Sequence, residues 1–222
     1  MHKSIQLFAT VAALGAAFSA SAQQAGDVML RAGYGTIAPN VTSGDMSAPS
    51  ISGSKSDISS GSSLLGGVTY MVTDNLSVDL PLALPFKHKI SGAGALAGTG
   101  DLGEVQALPI TLFGQYRLFD GLDALRPYAG LGLTYAYFFN ESGSGALTAI
   151  TNPGGTPTKI TVAGQWTYTV QLGASYAFDK QWFVDGFYSY TPLKTTTTLS
   201  TGQTQDITLN PSAFGLSLGY KF

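Results

Sequence analysis

The chain has 222 residues, no cysteine and a formal net charge of −2 at pH 7. The lack of cysteine excludes a disulfide framework and a thiolate metal site, and the charge does not suggest a nucleic-acid partner. Charged residues make up 11% of the chain, against about 25% in a typical soluble domain. So few charges would cover the surface of a soluble protein poorly, and the composition therefore favours a protein that faces lipid.

The first 22 residues predict a signal peptide that is removed after export. Lys3 gives a positive start, residues 5–20 are mostly apolar, and Ala20-Ser21-Ala22 is a small-x-small cleavage site. We expect the mature chain to begin near Gln23 and to form one domain over 23–222. No later apolar run approaches the ~20 residues that a membrane-spanning helix needs.

Eight later segments predict β-strands joined by connections of alternating length. Short polar turns on one rim and long loops on the other are typical of an outer-membrane barrel. The sequence thus predicts an all-β fold, an eight-stranded antiparallel transmembrane β-barrel with short periplasmic turns and long extracellular loops. The predicted strands cover 27–36, 61–72, 76–86, 107–119, 126–140, 161–178, 182–194 and 206–222. The short turns are 73–75, 120–123 and 179–181, and the long loops are 37–60, 87–106, 141–160 and 195–205.

The last strand shows which face of each strand meets lipid. Phe214, Leu216, Leu218, Tyr220 and Phe222 alternate with small or polar residues. Because successive side chains of a strand point to opposite faces, we expect the large residues outside and the small ones in the lumen. The alternative is a soluble lipocalin-like barrel or sandwich, whose core would need the large residues inside.

Seven charged side chains fall on inward faces near short turns or chain ends. Because buried charges need partners, we expect them to pair with one another and to close the periplasmic end of the lumen. We interpret this group as a structural plug rather than a catalytic or proton-relay site. Its members are Asp27, Arg31, Asp79, Arg117, Arg126, Asp185 and Lys221.

Above this plug the predicted lumen lining is small, apolar or aromatic. An eight-stranded barrel has room for side chains or for one small ligand, so this lining favours a small hydrophobic ligand. The candidate lining residues are Met71, Ala83, Phe113, Tyr128, Phe183 and Phe187. Pro81, Pro85 and Pro109 each remove a donor from the ladder, which predicts a lateral exit into the bilayer between the third and fourth strands.

Several motifs, in order, resemble the OmpW family. They are 73–80 (TDNLSVDL), 85–88 (PFKH), 126–135 (RPYAGLGLTY) with 138–141 (FFNE), 179–182 (DKQW) and the terminal 219–222 (GYKF). The resemblance implies an eight-stranded barrel in the bacterial outer membrane, whose narrow hydrophobic lumen passes small hydrophobic molecules with a lateral way out. It also implies contact with outer-membrane lipid and lipopolysaccharide, and recognition by the barrel-assembly machinery through Phe222.

Trp166 matches the tryptophan that the family places near the constriction of the lumen, and it is therefore a further lumen candidate. Strict alternation instead puts Trp166 on the lipid face, together with Tyr168. A β-bulge between Trp166 and Gln171 would reconcile the two, so both orientations stay open.

Three functions are compatible with such a barrel. The first is a conduit for small hydrophobic compounds, the second a structural or receptor barrel with a packed lumen and loops that bind partners, and the third a lipid-modifying enzyme. The mature chain has one histidine, His88, between Lys87 and Lys89, and we expect it to face solvent or the membrane interface. No serine–acid–histidine arrangement, metal cluster or cofactor motif accompanies it, so the conduit is favoured and no enzyme is expected.

Overall fold

The computed structural model describes residues 23–119 and 123–222, which form fourteen β-strands and one short helix. The predicted signal peptide and residues 120–122 of the second predicted turn lie outside the described residues. The strands are β1 (Val28–Ala38), β2 (Thr42–Ser43), β3 (Ser54–Ile58), β4 (Gly61–Met71), β5 (Leu76–Ala83), β6 (Phe86–Gly94), β7 (Asp101–Arg117), β8 (Leu125–Gly143), β9 (Ile160–Val162), β10 (Gln165–Ala177), β11 (Trp182–Tyr190), β12 (Lys194–Leu199), β13 (Thr204–Thr208) and β14 (Ser212–Lys221), and the helix is α1 (Gly145–Thr151). Within the same ranges no helix has the length and apolar character needed to cross a bilayer.

Over the described residues, the longer strands close into an eight-stranded antiparallel barrel. Each of the eight strand positions in its wall is called a stave below. Around the barrel the order is β1, β4, β5, β7, β8, β10, β11 and β14, and β14 pairs with β1 to complete the circle. One stave has two parts, because β5 and then β6 pair with β7. The predicted fold class is confirmed.

The faces of the strands follow the predicted alternation. On β14, Leu216 is 66% exposed whereas Ser217 is 4% exposed, and Phe214 and Leu218 also lie outside. An outer surface of large apolar side chains is what a barrel in lipid requires, because its polar groups point inward. The soluble alternative, which needs these side chains in the core, is wrong.

The predicted long loops contain much more regular structure than expected. β6 and the first part of β7 extend the barrel upward, and β2, β13, β12 and β9 form a second, four-stranded sheet. Four predicted strands are interrupted, 76–86 at Leu84-Pro85, 161–178 at Ala163-Gly164, 182–194 at Thr191-Pro192-Leu193 and 206–222 at Leu209-Asn210-Pro211. A cluster of buried apolar residues packs beneath these segments, consisting of Met46, Ile90, Leu96, Leu102, Val105, Leu147, Ile160 and Leu199. The protein therefore has an apolar core at the end of the barrel opposite the short turns.

Candidate ligand path in the lumen

An ion pair between β1 and β5 forms the floor of the open lumen. Arg31 donates from both terminal nitrogens to Asp79, at 2.6 and 2.8 Å, and Thr69 donates to the same carboxylate at 2.6 Å. Both charged groups are buried, so the two parallel hydrogen bonds satisfy charges that lack water. The predicted plug residues Arg31 and Asp79 therefore meet directly.

A second buried arginine lies beside this pair. The Arg117 guanidinium lies 4.7 Å from the centre of the Tyr128 ring and donates to Gln115 at 2.9 Å. The Tyr128 hydroxyl in turn donates to Asp185 at 3.1 Å. Tyr128, predicted as lining above the plug, is thus part of the polar layer itself.

The remaining plug candidates lie at the periplasmic mouth. Arg126 is fully buried and donates to the backbone carbonyls of Gln23 at 2.9 Å and Asp74 at 2.6 Å. Lys221 and Asp27 form a partly exposed pair at 3.3 Å. Gln23, which the sequence did not single out, is buried here and joins Arg117 and Arg126. The mouth is therefore closed by side chains from several staves and by Gln23.

Met71 and Phe183 lie at a different height from the one predicted. Both are buried, but they pack with Met29 and Ala177 in an apolar cluster at the periplasmic end. Met71 pairs with Ser77 next to a short turn, and Phe183 pairs with Ala177 at another. Their assignment to the upper lumen is wrong, because inward alternation fixes the face of a residue but not its depth.

Above the floor lies a lower chamber of about 120 Å³. Of the predicted lining residues, Ala83, Phe113 and Phe187 contribute to its wall. Arg31 lies at its base, and threonine, serine and glutamine side chains cover part of its circumference. The lower chamber is therefore apolar on one side and polar on another.

An upper chamber of about 90 Å³ lies within the extracellular part. Its lining is almost wholly apolar and comes from strands and loops on all sides, including Ile90, Leu102, Leu147, Ile160 and Leu199. The two chambers share a ring of five residues that forms a neck between them. These residues are Ile37, Pro109, Ala136, Leu193 and Pro211.

His88 lines the upper chamber instead of facing solvent. It is buried, and its Nδ1 donates to the Ser59 carbonyl at 2.8 Å. Burial lowers the pKa of His88, while the bond to Ser59 opposes that shift. The expectation of an exposed His88 is wrong because Lys87 and Lys89, not His88, occupy the outer face of β6.

The wall is incomplete between β5 and β7. Their pairing ends at Asp79 and Phe113, and pairing with β7 resumes only at Phe86 and Ala107. The unpaired stretch, defined here as the seam, consists of 80–85 facing 108–112. Pro81, Pro85 and Pro109 all lie in the seam.

Two of these prolines lack an amide donor where the seam needs one. On β5 the odd-numbered residues face β7, since Asn75 accepts from the Arg117 amide at 2.7 Å. The even-numbered residues face β4, since the Leu84 amide donates to Leu64 at 3.0 Å. Because ladder groups alternate between neighbours, Pro81 and Pro109 both stand where an N–H would cross the seam. Pro85 lies beyond the end of β5, and on β6 the odd-numbered Lys89 faces away from β7, where it accepts from the Ser59 amide.

The full length of the barrel matches one known family. The model of the OmpW family matches residues 24–222. The chain belongs to the OmpW family. Its sequence is 35% identical to outer membrane protein W of Vibrio cholerae serotype O1, over all of both chains. It is 26% identical to the dibenzothiophene metabolism operon protein DoxH of Pseudomonas sp. (strain C18), over 78% of this chain and 77% of the relative.

A solved structure shares the architecture. The crystal structure of the outer membrane protein OprG from Pseudomonas aeruginosa superposes with a TM-score of 0.82 at 28% identity, covering 91% of this chain and 98% of that one. As a member of the OmpW family with this fold, the protein is located in the bacterial outer membrane.

The tryptophan that resembles the family's constriction residue lies outside the lumen. Trp166 is 68% exposed, and its ring centre is 5.0 Å from that of Tyr135. The pairing of β10 with β8 runs without a bulge from Gln165 to Tyr176. Trp166 is therefore lipid-facing, and its place among the lumen candidates is wrong.

Other groups on the path were not predicted. The neck residues Ile37, Leu193 and Pro211 come from predicted loops or strand interruptions, where no alternation marks an inner face. Within residues 23–119 and 123–222 no cluster of three or more histidine or acidic side chains could hold a metal ion.

Proposed function

We propose that this OmpW family member is a passive conduit for small hydrophobic molecules. A molecule enters the upper chamber from outside, passes the neck into the lower chamber and leaves sideways through the seam into the bilayer. The observation that supports this route most directly is that the lower chamber reaches the seam. Its lining includes Pro81, Ala83 and Pro109, and also the outward-facing Gly66 and Leu82.

The chemistry of the barrel favours a lateral exit over passage to the periplasm. Below the lower chamber an apolar molecule would have to break the bonds of Asp79 with Arg31 and Thr69, and each unpaired buried charge is costly. Through the seam the same molecule meets acyl chains and loses no hydrophobic stabilisation. The polar floor thus directs an apolar solute sideways.

The name of one relative is consistent with an apolar substrate. DoxH is named for a dibenzothiophene metabolism operon, and dibenzothiophene is a fused aromatic compound without charge. We propose for this chain the same general class, uncharged compounds small enough to pass the neck between the chambers.

Two other functions have less support. A packed structural or receptor barrel would not need two connected chambers with apolar linings. A lipid-modifying enzyme would need His88 next to a serine hydroxyl or a carboxylate. In the part of the chain that the structure describes, His88 bonds instead to a backbone carbonyl.

Two partners stay predictions. Phe222 is exposed at the end of the last stave, where the barrel-assembly machinery could reach it. Lys87 and Lys89 are exposed above the apolar band, where lipopolysaccharide phosphates would lie. Neither contact is needed for the conduit.

The lateral exit is tested by giving the seam its missing donors. Pro81→Ala with Pro109→Ala adds two amides that can bond across the seam. At about 1 kcal/mol each, two new bonds favour the closed wall by roughly 30-fold. We expect protein-dependent uptake of labelled naphthalene by cells to fall by up to this factor.

Pro153→Ala, in an exposed loop, is the matched control and should leave uptake unchanged. Hydrogen exchange reports whether the new amides at 81 and 109 become protected. Normal uptake by a double variant whose new amides are protected would show that solutes do not leave through the seam.

A further inference from the structure

The lower chamber has a polar wall opposite the seam. In the order of the barrel, β11 and β14 lie across from the boundary between β5 and β7. Ser189 of β11 and Ser217 of β14 line the chamber on that side, next to Thr169 and Gln171 of β10. A cavity that served only hydrocarbons would gain nothing from these groups.

Threonines on adjacent staves form a chain of hydroxyl groups that runs from the seam to this wall. Thr111 bonds to Thr134 at 2.9 Å, Thr134 to Thr169 at 2.6 Å, and Thr169 to Thr191 at 2.9 Å. Four hydroxyls have four protons, and three mutual bonds use three of them. One of the four hydroxyls therefore keeps a proton that no bond within the chain uses, and all four threonines line the chamber.

Three more groups on the wall have unused hydrogen-bonding capacity. Ser189 is 7% exposed, and Ser217 and Gln171 are each 4% exposed. Over residues 23–119 and 123–222 neither serine hydroxyl bonds to the protein, and Gln171 uses only its oxygen, which accepts from Gln115 at 2.8 Å. The free polar atoms of these groups open onto the chamber, where they can bond to a polar atom of a ligand.

The rest of the chamber limits the charge of that ligand. Leu65, Ala83, Phe86, Phe113 and Phe187 supply apolar lining. At the base, Arg31 and Asp79 form an ion pair with two mutual hydrogen bonds, so each charge already has its counter-charge. A charged ligand would lose its water without gaining a free counter-charge, whereas a neutral polar group loses far less.

We infer that the lower chamber is a binding site for uncharged amphiphiles: small hydrophobic molecules that carry one hydroxyl, carbonyl or amide group. The polar group bonds either to Ser189 and Gln171, which pair across β11 and β10, or to Ser217, which pairs with Asp185 nearer the base, and the apolar part points across the chamber to the seam. The inference rests on the proposed conduit and defines its substrate class. A molecule held in this way leaves through the seam with its apolar end first.

The test compares two solutes of equal chain length, 1-octanol and n-octane. Uptake of each labelled solute is measured in cells with the protein, far below saturation, and the rate of cells without it is subtracted. In the variant Ser189→Ala with Ser217→Ala, we expect 1-octanol uptake to fall about fivefold, the loss of one net hydrogen bond. n-Octane uptake should not change, and since neither hydroxyl bonds to the protein, the variant should fold.

Thr197→Val is the matched control, because Thr197 lines only the upper chamber and its hydroxyl forms no bond within the described chain. It should leave the ratio of the two uptake rates unchanged. Equal effects of the serine variant on both solutes, or octanoate entering faster than 1-octanol, would overturn the inference and leave the conduit standing. If the wild-type protein accelerates neither solute, the conduit itself fails and the inference with it.

Discussion

At the scale of single residues, the pair of Arg31 and Asp79 separates the lower chamber from the rest of the plug. In Asp79→Asn, Arg31 keeps its charge in a buried place without a counter-charge. Removal of one partner of a buried pair costs about 3–5 kcal/mol. We expect the free energy of unfolding in urea, followed by tryptophan fluorescence in lipid vesicles, to fall by about this amount.

Asp101→Asn provides the comparison for this loss. Asp101 pairs with Lys89 at 2.8 Å, but both side chains are more than half exposed, so water replaces the lost partner. The unfolding midpoint of this variant should stay at the wild-type value. Equal losses of unfolding free energy in the two variants would mean that the buried pair of Arg31 and Asp79 stabilises the protein no more than an exposed pair does.

His88 gives the extracellular part a dependence on pH. Its pKa in the folded state is below the ordinary 6.5 because the ring is buried, so the unfolded state binds more protons near that pH. Its contribution to stability is therefore complete above 6.5 and is lost as the pH falls through 6.5 toward the folded-state pKa. We expect wild type to lose more stability than His88→Leu between pH 7.5 and pH 5.5.

The measurement is urea unfolding of both proteins at the two pH values. The carboxylates titrate in both proteins, so only the difference between them belongs to His88. This difference can reach at most about 1.4 kcal/mol for each pH unit. Parallel pH profiles would indicate that His88 is hydrated and titrates normally.

The residue scale also shows where sequence reasoning was sufficient and where it was not. Alternation placed Arg31, Asp79 and Phe113 inside the barrel without reference to any neighbour. It could not give depth, and so Met71 and Phe183 were assigned to the wrong end. For Trp166, the regular alternation of β10 was the better guide than the family's constriction residue.

At the scale of elements, the apolar face of an alternating strand points outward within the bilayer and inward above it. Within the membrane the large apolar residues face outward, as Leu216 and Leu218 do on β14. Above it, Phe86 and Ile90 face inward while Lys87 and Lys89 face outward on β6. Both segments alternate, but water surrounds the second one, so its apolar side turns to the core. A pattern of outward-facing apolar residues therefore does not identify the strands within the predicted loop 87–106.

At the same scale, prolines determine where the proposed path leaves the barrel, which is the seam. Pro81 and Pro109 were predicted to weaken the wall, and the ladder is missing at their positions. The neck could not be predicted in the same way. Ile37, near the end of β1, meets Leu193 and Pro211 only after the segments that follow β11 and precede β14 fold over the barrel, and no local pattern encodes that meeting.

At the scale of the whole molecule, two environments share one cylinder. The lower part has its large apolar side chains on the outside and charges in the lumen, whereas the extracellular part has an apolar core and a polar surface. The upper chamber lies in the second part and the seam opens in the first. The proposed path therefore runs from a core like that of a soluble protein into lipid, and it stays apolar on at least one side throughout.

This arrangement predicts that the cost of a surface charge depends on its depth. Leu131 lies midway between Leu125 and Tyr137 on the outer face of β8, and all three are exposed. An arginine at the bilayer midplane costs about 2–4 kcal/mol, and one near the interface costs about 0–1 kcal/mol. We expect Leu131→Arg to destabilise the folded barrel in lipid vesicles by the larger amount, and Tyr137→Arg by the smaller.

Urea unfolding in vesicles, repeated in detergent micelles, separates the contribution of the bilayer from that of packing. Leu131 is largely free of protein contacts on its outer side, so its replacement leaves no cavity, and its cost should fall in micelles, where the arginine reaches water more easily. If Leu131→Arg and Tyr137→Arg cost the same in vesicles, the exposed apolar band would not be centred on the bilayer. The seam, which lies on the same band, would then open at a depth where no acyl chains receive the solute.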